Sequence, residues 1–391
     1  MPAMVHQGGR ILIHCDLDAF FAAVETIHDD LDPSVPLIIG SDPSSGQGRG
    51  VVSTCNYAAR EFGIRSAMPI SEAWRRCPAP PLGPALYRRG RFNLYRRASR
   101  RVMRILAAEA DQFEPAGVDE AYLDVTEACE SDWDLAEALA RRMQKAIFDD
   151  IGLTASFGVG PTRVAAKMSS EYNKPNGIYV ARPESLTEFF SPQDTRAVPG
   201  IGPKSAQDLA ESGIYILEDA IVEGESGLSR ILGERRGRSL ARILDGYSSD
   251  EVSPIRSRKS IGKERTFNRD VINPDVVLER LRELVTRVVA KLMELGIAAR
   301  VLEVKLRYRG FETLNHARSL PVAMDDEEVF RRLADGLLTD VYDTSRPVRL
   351  IGFRVGDLDA PPNRQATLEA FAYADEGSDS SHWATEWDTP D

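Results

Sequence analysis

The chain has few cysteines and no long apolar run, and these shortages exclude several classes of protein. Its four cysteines are widely spaced and form no C-x-x-C pair, which disfavours a zinc site or a disulfide framework. No run of about eighteen apolar residues is present, so we expect no membrane-spanning helix and no membrane partner. The opening stretch MPAMVHQGGR lacks the apolar core of a secretion signal, and we therefore expect a cytoplasmic protein.

Positive charge is also scarce, because the formal net charge is −11. The deficit is concentrated at the end of the chain: residues 357–391 hold nine Asp or Glu and one Arg, whereas residues 258–356 hold nineteen Lys or Arg and fifteen Asp or Glu. A mildly basic module followed by an acidic tail is compatible with phosphate binding. The basic residues are eight Lys and forty-one Arg, and this acidic, lysine-poor composition resembles that of proteins from salt-loving archaea, where salt screens long-range charge effects.

The length of 391 residues and the hydrophobic fraction of 42% predict about two to four domains. Strand patterns alternate with helix patterns in the first half of the chain, which favours an α+β sheet domain. We predict strands over residues 10–15, 121–126 and 154–160, and helices over residues 56–63, 91–110, 135–152, 164–173 and 274–296. The polar, proline-containing stretch 248–257 is typical of a linker.

Carboxylates lie at the ends of two predicted strands. Asp16 and Asp18 follow the first strand, and Asp119 and Glu120 open another roughly a hundred residues later. If these strands are neighbours, the acids gather at one end of the sheet, where their repulsion is costly unless cations intervene. Hard cations such as Mg²⁺ prefer oxygen ligands, and two such ions can activate a hydroxyl and stabilise a leaving phosphate. Either pair alone fits surface acids, and we interpret Asp18 as the N-cap of the helix pattern AFFAAVE.

Five longer segments favour the metal interpretation because they occur together and in order. They are HCDLDAFFAAVE, STCNYAAREFGIRSAMP, GVDEAYLDVT, ASFGVGPTRVAAKMSSEYNKPNG and VPGIGPKSAQDLAESGI. Together they resemble the Y-family translesion DNA polymerases, specifically the DNA polymerase IV group, over roughly residues 10–356. Several motifs in a fixed order are far more specific than any one of them.

The resemblance implies a multidomain α+β protein with the right-hand fold of a polymerase. Its expected domains are a palm (1–27 and 87–180), small fingers (28–86), a thumb with a helix-hairpin-helix (181–247), a little finger after the linker (258–356) and an acidic tail that we expect to be disordered (357–391).

The resemblance also implies the catalytic groups. Asp16 and Asp119 would ligate two Mg²⁺ ions, Glu120 would ligate the catalytic one, and Leu17 would offer its backbone carbonyl. The usual family sequence Ser-Ile-Asp-Glu is GVDE in this chain, so the acids are retained and the serine hydroxyl is lost.

The incoming deoxynucleoside triphosphate would contact residues from two segments. Thr54, Tyr57 and Arg60 resemble the family's triphosphate contacts, as does Lys174 in NKPNG, and Tyr57 and Arg60 lie on one face of a predicted helix. Phe21 resembles the steric gate, an aromatic ring beneath the sugar that leaves no room for a 2′-hydroxyl. Without the resemblance, Arg60 and Lys174 fit solvated surface charges and Phe21 fits a core aromatic.

Two further segments suit DNA binding. The segment VPGIGPKSAQDLAESGI is typical of a helix-hairpin-helix, whose Gly200–Gly202 turn, followed by Lys204, can bring backbone N–H groups close to a phosphate. In the last domain, Lys305, Arg307 and Arg309 alternate with apolar residues along a predicted strand, and this face could follow a duplex backbone without reading its sequence. A glycine turn that serves packing and a solvated strand face are the structural alternatives.

The tail contains the segment QATLEAFAY between a Pro-rich stretch and an acidic, Ser-rich stretch. Gln365, Leu368 and Phe371 resemble the box that binds a replication sliding clamp, although an alanine replaces its second aromatic. A spacing of three would place Leu368 and Phe371 on one side of a helical turn, able to enter an apolar pocket. The alternative is an amphipathic segment that packs back on the polymerase.

We therefore expect a monomeric, template-directed DNA polymerase that uses primer–template DNA, deoxynucleoside triphosphates, two Mg²⁺ ions and a sliding clamp, and that performs translesion synthesis without proofreading. The alternative is a catalytically inactive scaffold that binds DNA and a clamp, against which the retained Asp16, Asp119 and Glu120 argue. A helix-hairpin-helix nuclease or glycosylase would need a catalytic cluster beside residues 198–214, where the sequence offers none.

Overall fold

The computed structural model describes residues 9–247, 251–253 and 258–360. The chain divides into two compact units, Met1–Ile255 and Arg256–Asp391. None of the helices in these described ranges is long and apolar enough to cross a membrane.

Strands and helices alternate through most of the chain. The strands are Leu12–Leu17 (β1), Leu37–Gly40 (β2), Val52–Cys55 (β3), Leu86–Arg88 (β4), Gln112–Pro115 (β5), Glu120–Asp124 (β6), Ala155–Gly160 (β7), Ile178–Val180 (β8), Ser260–Val271 (β9), Ala298–Tyr308 (β10), Thr313–Met324 (β11) and Val348–Asp359 (β12). The helices are Phe20–His28 (α1), Tyr57–Glu61 (α2), Ile70–Arg76 (α3), Phe92–Ala107 (α4), Trp133–Ile151 (α5), Arg163–Tyr172 (α6), Leu186–Phe190 (α7), Pro203–Glu211 (α8), Leu217–Leu232 (α9), Glu234–Leu244 (α10), Pro274–Leu295 (α11) and Glu327–Val341 (α12).

A five-stranded sheet with the order β5-β6-β1-β7-β8 forms the centre of the first unit. Strand β1 pairs antiparallel with both β6 and β7. Because side chains alternate along a strand, Ile13, Cys15 and Leu17 share one face, and they pack in a core with α1, α4 and α5. His14 and Asp16 share the opposite face of β1, the side against which α6 lies.

Helix α6 approaches β7 closely because two glycines leave room for its backbone. A Cβ on Gly158 would lie 2.0 Å from the carbonyl oxygen of Ala166, and a Cβ on Gly160 would lie 2.7 Å from the nitrogen of Ala166. Any larger residue would therefore push the helix away from the sheet. This approach brings polar side chains of α6 within hydrogen-bond distance of β1 and β6.

A smaller three-stranded sheet, with the order β3-β2-β4, carries α2 and α3. Strand β2 pairs antiparallel with β3 and parallel with β4. Ile38, Val52, Ile64 and Ile70 form part of its own buried core. Helix α2 begins after Asn56, whose side chain accepts a hydrogen bond from the backbone N–H of Ala59 and so caps the first turn.

Helices α7 to α10 share a third core in the first unit, which includes Leu209, Leu217, Leu228 and Leu240. The predicted glycine turn precedes α8, and Gly200 adopts a φ of 95°, a conformation that favours glycine. The element before this turn is the 3₁₀ turn Thr195–Ala197. The first helix of the predicted helix-hairpin-helix is thus shortened to a 3₁₀ turn.

Residues 251–253 pack against the large sheet. Val252 is buried beside Leu12 and Tyr122, and the backbone N–H of Ser253 donates to Oε2 of Glu114 at 3.0 Å. This part of the polar stretch 248–257 is therefore anchored to the first unit.

The second unit is a four-stranded antiparallel sheet with the order β11-β10-β12-β9, covered by α11 and α12. The alternation predicted for β10 is confirmed, since Leu302, Val304, Leu306 and Tyr308 all lie in the core beneath the two helices. That core closes with Phe330 and aliphatic residues of α11.

Most predicted elements are confirmed, but the interpretation of Asp18 as an N-cap is wrong. Helix α1 begins at Phe20, and Ala19 occupies its N-cap position without a side-chain hydrogen bond. Asp18 is buried, and its carboxylate accepts hydrogen bonds of 2.8 Å from Oγ of Ser156 and from the backbone N–H of Asn176. Donors from β7 and from the loop after α6 therefore satisfy this acid in place of its own helix.

Candidate active site

Asp16 and Glu120 face each other across the central strands. They are direct partners in the antiparallel register of β1 and β6. Asp119 immediately precedes β6, and its carbonyl accepts a hydrogen bond of 2.9 Å from the backbone N–H of Leu17. The structure thus brings the predicted metal ligands together at one end of the sheet.

Two ammonium groups pair with two acids of this cluster. Nζ of Lys174 lies 2.5 Å from Oδ1 of Asp16, and Lys167 donates a hydrogen bond to Oε2 of Glu120. All four side chains are largely buried, with exposures between 17% and 29%, so these pairs are weakly screened by solvent. Lys174 was among the residues predicted from the sequence, whereas Lys167 was not.

The loop that carries Lys174 is attached to β1 through Asp18. The hydrogen bond from Asn176 to Asp18 lies two residues beyond Lys174 and fixes the loop beside the end of β1. Lys174 also lies 2.6 Å from Glu171 at the end of α6. These contacts hold its ammonium group inside the acidic cluster.

The pKa values of the acids in this cluster are shifted in different directions. Burial raises the pKa of Asp16 to about 6, although Lys174 opposes the rise. Burial and the neighbouring Glu120 carboxylate also raise the pKa of Asp119. By contrast, hydrogen bonds from His14 and Lys167 lower the pKa of Glu120 to about 2 against the effect of burial. Two raised carboxyl pKa values beside a lowered one are typical of a functional site.

His14 is a further member of the cluster that the sequence analysis missed. It is fully buried, its Nε2 lies 3.3 Å from Oε2 of Glu120, and its Nδ1 lies 2.8 Å from Oγ of Ser170. Burial lowers the pKa of His14 to about 4, so the ring is neutral at physiological pH. The available signal was its position two residues before Asp16, which puts both side chains on one strand face.

The donor set fits Mg²⁺, although no preformed cage of three His, Cys, Asp or Glu side chains occurs among the residues that the structure describes. Asp16, Asp119, Glu120 and the Leu17 carbonyl all offer the hard oxygen ligands that Mg²⁺ prefers. Mg²⁺ at such sites takes its other ligands from water and substrate phosphates, so an incomplete protein set suits it.

Among the predicted triphosphate contacts, Tyr57 lies near the same cluster, because the charges of Asp18, Lys174 and Asp16 act on its hydroxyl. The guanidinium carbon of Arg60 lies 4.4 Å from the centre of the Tyr57 ring, and both residues belong to α2. The buried hydroxyl of Tyr57 has no hydrogen-bond partner within the described part of the chain. Burial and the nearby Asp18 charge raise the pKa of Tyr57, so the hydroxyl remains a proton donor. Thr54 lies on the neighbouring strand β3 and is partly exposed.

Phe21 lies at the start of α1 within a group of aromatic rings. Its ring stacks on Tyr95 with a centroid distance of 4.4 Å and meets Phe92 edge-on at 5.7 Å. Phe20 is buried in the core, whereas Phe21 is only partly buried. Phe21 thus has a packed ring on one side and an accessible edge on the other.

The predicted DNA contacts have different surroundings. Gly200, Gly202 and Lys204 are exposed, and a Cβ on either glycine would meet no atom within 4 Å. Lys305 is mostly buried and pairs with Glu264 at 2.7 Å. The other two predicted contacts are more accessible: Arg307 is partly exposed, and Arg309, which lies in the turn just after β10, is exposed.

Comparison with known proteins identifies the family. The model of the impB/mucB/samB family matches residues 15–171, and the model of its C-terminal domain matches residues 258–368. The DNA polymerase IV of Methanoculleus marisnigri is 37% identical over 364 residues, which cover 93% of this chain and 99% of that protein. The DNA polymerase IV of Halorhodospira halophila is 38% identical over 362 residues, which cover 92% of this chain and 98% of that protein.

Solved structures agree with this assignment. A Y-family DNA polymerase chimera of Dbh and Dpo4 matches with a TM-score of 0.79 and 30% identity over 90% of this chain and 99% of that chain. The insertion ternary complex of Dbh DNA polymerase matches with a TM-score of 0.63 and 28% identity over 90% of this chain and 99% of that chain. The chain therefore belongs to the impB/mucB/samB family and is a DNA-directed DNA polymerase of the Y family.

Proposed function

We propose that this polymerase joins nucleotides by a two-metal mechanism and acts in translesion synthesis without proofreading. The observation that carries the two-metal part is the register of β1 and β6, which pairs Asp16 with Glu120 and sets Asp119 beside them. Neither a packed core nor a solvated surface requires three acids at this point, whereas hard cations do.

Each residue of the site has its own role in binding the two metal ions. Asp16 and Asp119 would hold both metals, Glu120 would hold the catalytic one, and Leu17 would add its carbonyl oxygen. When bound, two Mg²⁺ ions activate the primer 3′-hydroxyl and neutralise the leaving pyrophosphate. The 3′-hydroxyl releases its proton to water as its oxygen forms a bond to the α-phosphorus of the deoxynucleotide, the bond from the α-phosphorus to the bridging oxygen breaks, and pyrophosphate leaves.

The nucleotide site is completed by cationic and hydroxyl donors. Lys174, Arg60 and Tyr57 bind the triphosphate, with Thr54 beside them. The buried Tyr57 hydroxyl, which lacks a partner among the described residues, supports this assignment because a phosphate oxygen would satisfy it. Phe21 supports the sugar and excludes a 2′-hydroxyl.

The domains follow the order expected for a right hand. In our proposal, residues 1–27 and 87–180 form the palm, 28–86 the fingers, 181–247 the thumb and 258–356 the little finger. The small fingers, whose helices α2 and α3 have only five and seven residues, place few side chains over a base pair. A damaged template base meets fewer steric restraints in such a site, which supports translesion synthesis.

DNA would contact the thumb and the little finger. The open Gly200–Gly202 turn and exposed Lys204 suit a phosphate at the start of α8. In the little finger, Arg307 and Arg309 are the more accessible cations, and Lys305 contributes charge that Glu264 partly cancels. We further propose that the enzyme is a cytoplasmic monomer and that Gln365, Leu368 and Phe371, which lie outside the described residues, bind a sliding clamp.

Primer extension tests the proposal. The full chain, a labelled primer on a longer template, all four deoxynucleotides and Mg²⁺ should give stepwise extension that EDTA abolishes. A second template with an abasic site should also be extended past the lesion. Tight binding of primer–template without extension in Mg²⁺ or Mn²⁺ would support the inactive scaffold and contradict the mechanism.

A further inference from the structure

Glu120 contacts two polar residues, Lys167 and His14, that have no role in the proposed mechanism. Lys167 of α6 donates a hydrogen bond to Oε2 of Glu120, and Nε2 of His14 lies 3.3 Å from that same oxygen. Nζ of Lys167 also lies 3.4 Å from Nε2 of His14. Both contacts to Glu120 therefore fall on a single carboxylate oxygen.

The groups that make these contacts are themselves fixed by packing. His14 is fully buried, and Oγ of Ser170 holds its Nδ1 at 2.8 Å. Oγ of Ser170 also lies 2.8 Å from the backbone carbonyl oxygen of Lys167. Because α6 packs directly on Gly158, the backbone from which Lys167 extends cannot shift towards the sheet without a clash, and a shift away would lose this close packing.

The second oxygen of Glu120 faces a different side of the site. A Cβ on Gly117 would lie 3.8 Å from Oε1 of Glu120 and 3.3 Å from Oδ1 of Asp119. One oxygen of each acid therefore borders the same space, and glycine at residue 117 places no side chain in it.

We propose that Lys167 is a positioning residue, which holds Oε2 of Glu120 and leaves Oε1, beside Oδ1 of Asp119, to ligate the catalytic metal. This inference rests on the proposed two-metal function. A carboxylate fixed in this way binds through one oxygen, and the ammonium group reduces the negative charge that the metal meets. Without Lys167, both oxygens of Glu120 become available to one ion and a positive charge is lost, so the metal binds more tightly but with altered geometry.

The test compares Lys167→Met with Lys167→Arg and with a matched control. Lys167→Met keeps the apolar stem and removes the charge, whereas Lys167→Arg keeps the charge. The control is Lys145→Met, because Lys145 pairs with Asp149 on the exposed surface of α5. Mn²⁺ binding to the full chain with primer–template is measured by electron paramagnetic resonance without nucleotide, and kcat and KM are measured separately at saturating metal.

Lys167→Met should bind Mn²⁺ about tenfold more tightly and lose about tenfold or more in kcat, while its KM for the nucleotide changes little. Lys167→Arg should lie between this variant and wild type, and Lys145→Met should match wild type. Because the Lys167 side chain is 27% exposed, we expect its replacement to leave the fold intact. Melting temperatures equal to that of wild type would show that the variants fold.

Unchanged or weaker Mn²⁺ binding by the folded Lys167→Met variant overturns the proposal. A loss of primer–template affinity with unchanged Mn²⁺ affinity overturns it as well, because Lys167 would then contact DNA. Failure of the two-metal function itself is distinguishable, since wild type would then neither bind Mn²⁺ nor extend a primer.

Discussion

Nζ of Lys174 lies 2.5 Å from Oδ1 of Asp16, so one side chain links the proposed metal site to the proposed triphosphate site. The ammonium group also lies 2.6 Å from Glu171. Lysine has three N–H donors, and these two contacts leave one for a phosphate oxygen. The Asp16 and Glu171 carboxylates raise the pKa of Lys174 against the effect of burial, so it remains a cation.

Lys174→Met should raise KM for the incoming deoxynucleotide by about tenfold or more. The reason is the loss of a charge-assisted hydrogen bond to the triphosphate, which contributes about 1.5–3 kcal/mol. Single-nucleotide incorporation under steady-state conditions measures the effect, with Lys145→Met as the control on a distant surface. A variant with an unchanged KM would show that Lys174 serves only to neutralise Asp16.

Asp119→Ala and Glu120→Ala should each reduce primer extension by about a hundredfold or more, because each removes a ligand that stabilises charge in the transition state. Binding of primer–template, measured by fluorescence anisotropy, should stay within about twofold of wild type. Asp134→Ala is the control, since Asp134 is an exposed acid on α5 that pairs with Arg182. Extension by Asp119→Ala at close to the wild-type rate would falsify the metal assignment.

The sequence predicted the elements that carry the acids because local patterns determine them. A short apolar stretch identified the buried strand that leads to Asp16, and helical periodicity with a final glycine identified α5, whose C-cap Gly152 has a φ of 72°. The sequence did not predict that β1 pairs with β6. The metal site was predicted on the condition that these two strands are neighbours. Register depends on contacts between residues roughly a hundred positions apart, which no local pattern encodes.

The wrong interpretation of Asp18 and the failure to identify Lys167 and Ser170 have the same physical cause. Asp18 has the sequence context of an N-cap, yet burial beside β7 gives it donors from distant segments. Lys167 and Ser170 have an ordinary helical pattern, and only the close approach of α6 to Gly158 brings them to Glu120 and His14. Tertiary packing, which the local sequence does not specify, decides each of these roles.

Phe21→Ala should increase incorporation of ribonucleotides relative to deoxynucleotides by about a hundredfold. Removing the ring opens the space that a 2′-hydroxyl needs, while Tyr95, on which Phe21 stacks, stays in place. Competition between the two nucleotides on one template measures the ratio. Phe92→Ala, which removes another ring of the same cluster, should leave the ratio near wild type. An unchanged ratio in the folded Phe21→Ala variant would make Phe21 a packing residue only.

Glu25 accepts a hydrogen bond from Tyr95, the residue on which Phe21 stacks. We expect its contribution to the free energy of unfolding to depend on pH. It is fully buried and accepts hydrogen bonds from Arg91 at 3.0 Å and from the Tyr95 hydroxyl at 2.6 Å. Burial opposes its ionisation, but these bonds and that from Arg88 outweigh burial and hold its pKa below the ordinary 4.5. Its carboxylate therefore stabilises the fold above pH 4.5, and this contribution is lost as pH falls through the lower pKa of the folded state.

Glu25→Gln should lower the free energy of unfolding by about 2 kcal/mol at pH 7, which is typical of a hydrogen bond to a charged group. The difference from wild type should narrow as pH falls from 4.5 towards the lower pKa of the folded state, because Glu25 becomes neutral first in the unfolded chain and then in the folded protein. Urea denaturation at several pH values measures both results. Glu137→Gln removes an exposed helical pair with Arg141 and should have little effect at any pH. A difference that does not change with pH would contradict the role of the charge.

The clamp prediction concerns residues beyond the second unit's sheet. Strand β12 continues to Asp359, which pairs with Ala298 of β10. A truncation that removed residues from 358 onwards would delete the last two residues of β12. A truncation after Ala360 removes the tail and leaves the strand intact. The segment to delete is therefore 361–391, which contains Gln365, Leu368 and Phe371.

Deleting residues 361–391 should abolish stimulation of primer extension by the organism's sliding clamp and leave the activity without the clamp unchanged. A tether raises the local concentration of a weak DNA binder, and linked binding of this kind increases apparent affinity by about 10²–10⁴-fold. Leu368→Ala with Phe371→Ala should reproduce the deletion, whereas Trp383→Ala, in the same tail but outside the box, should not. Equal stimulation of the full-length and truncated proteins would locate any clamp contact elsewhere in the chain.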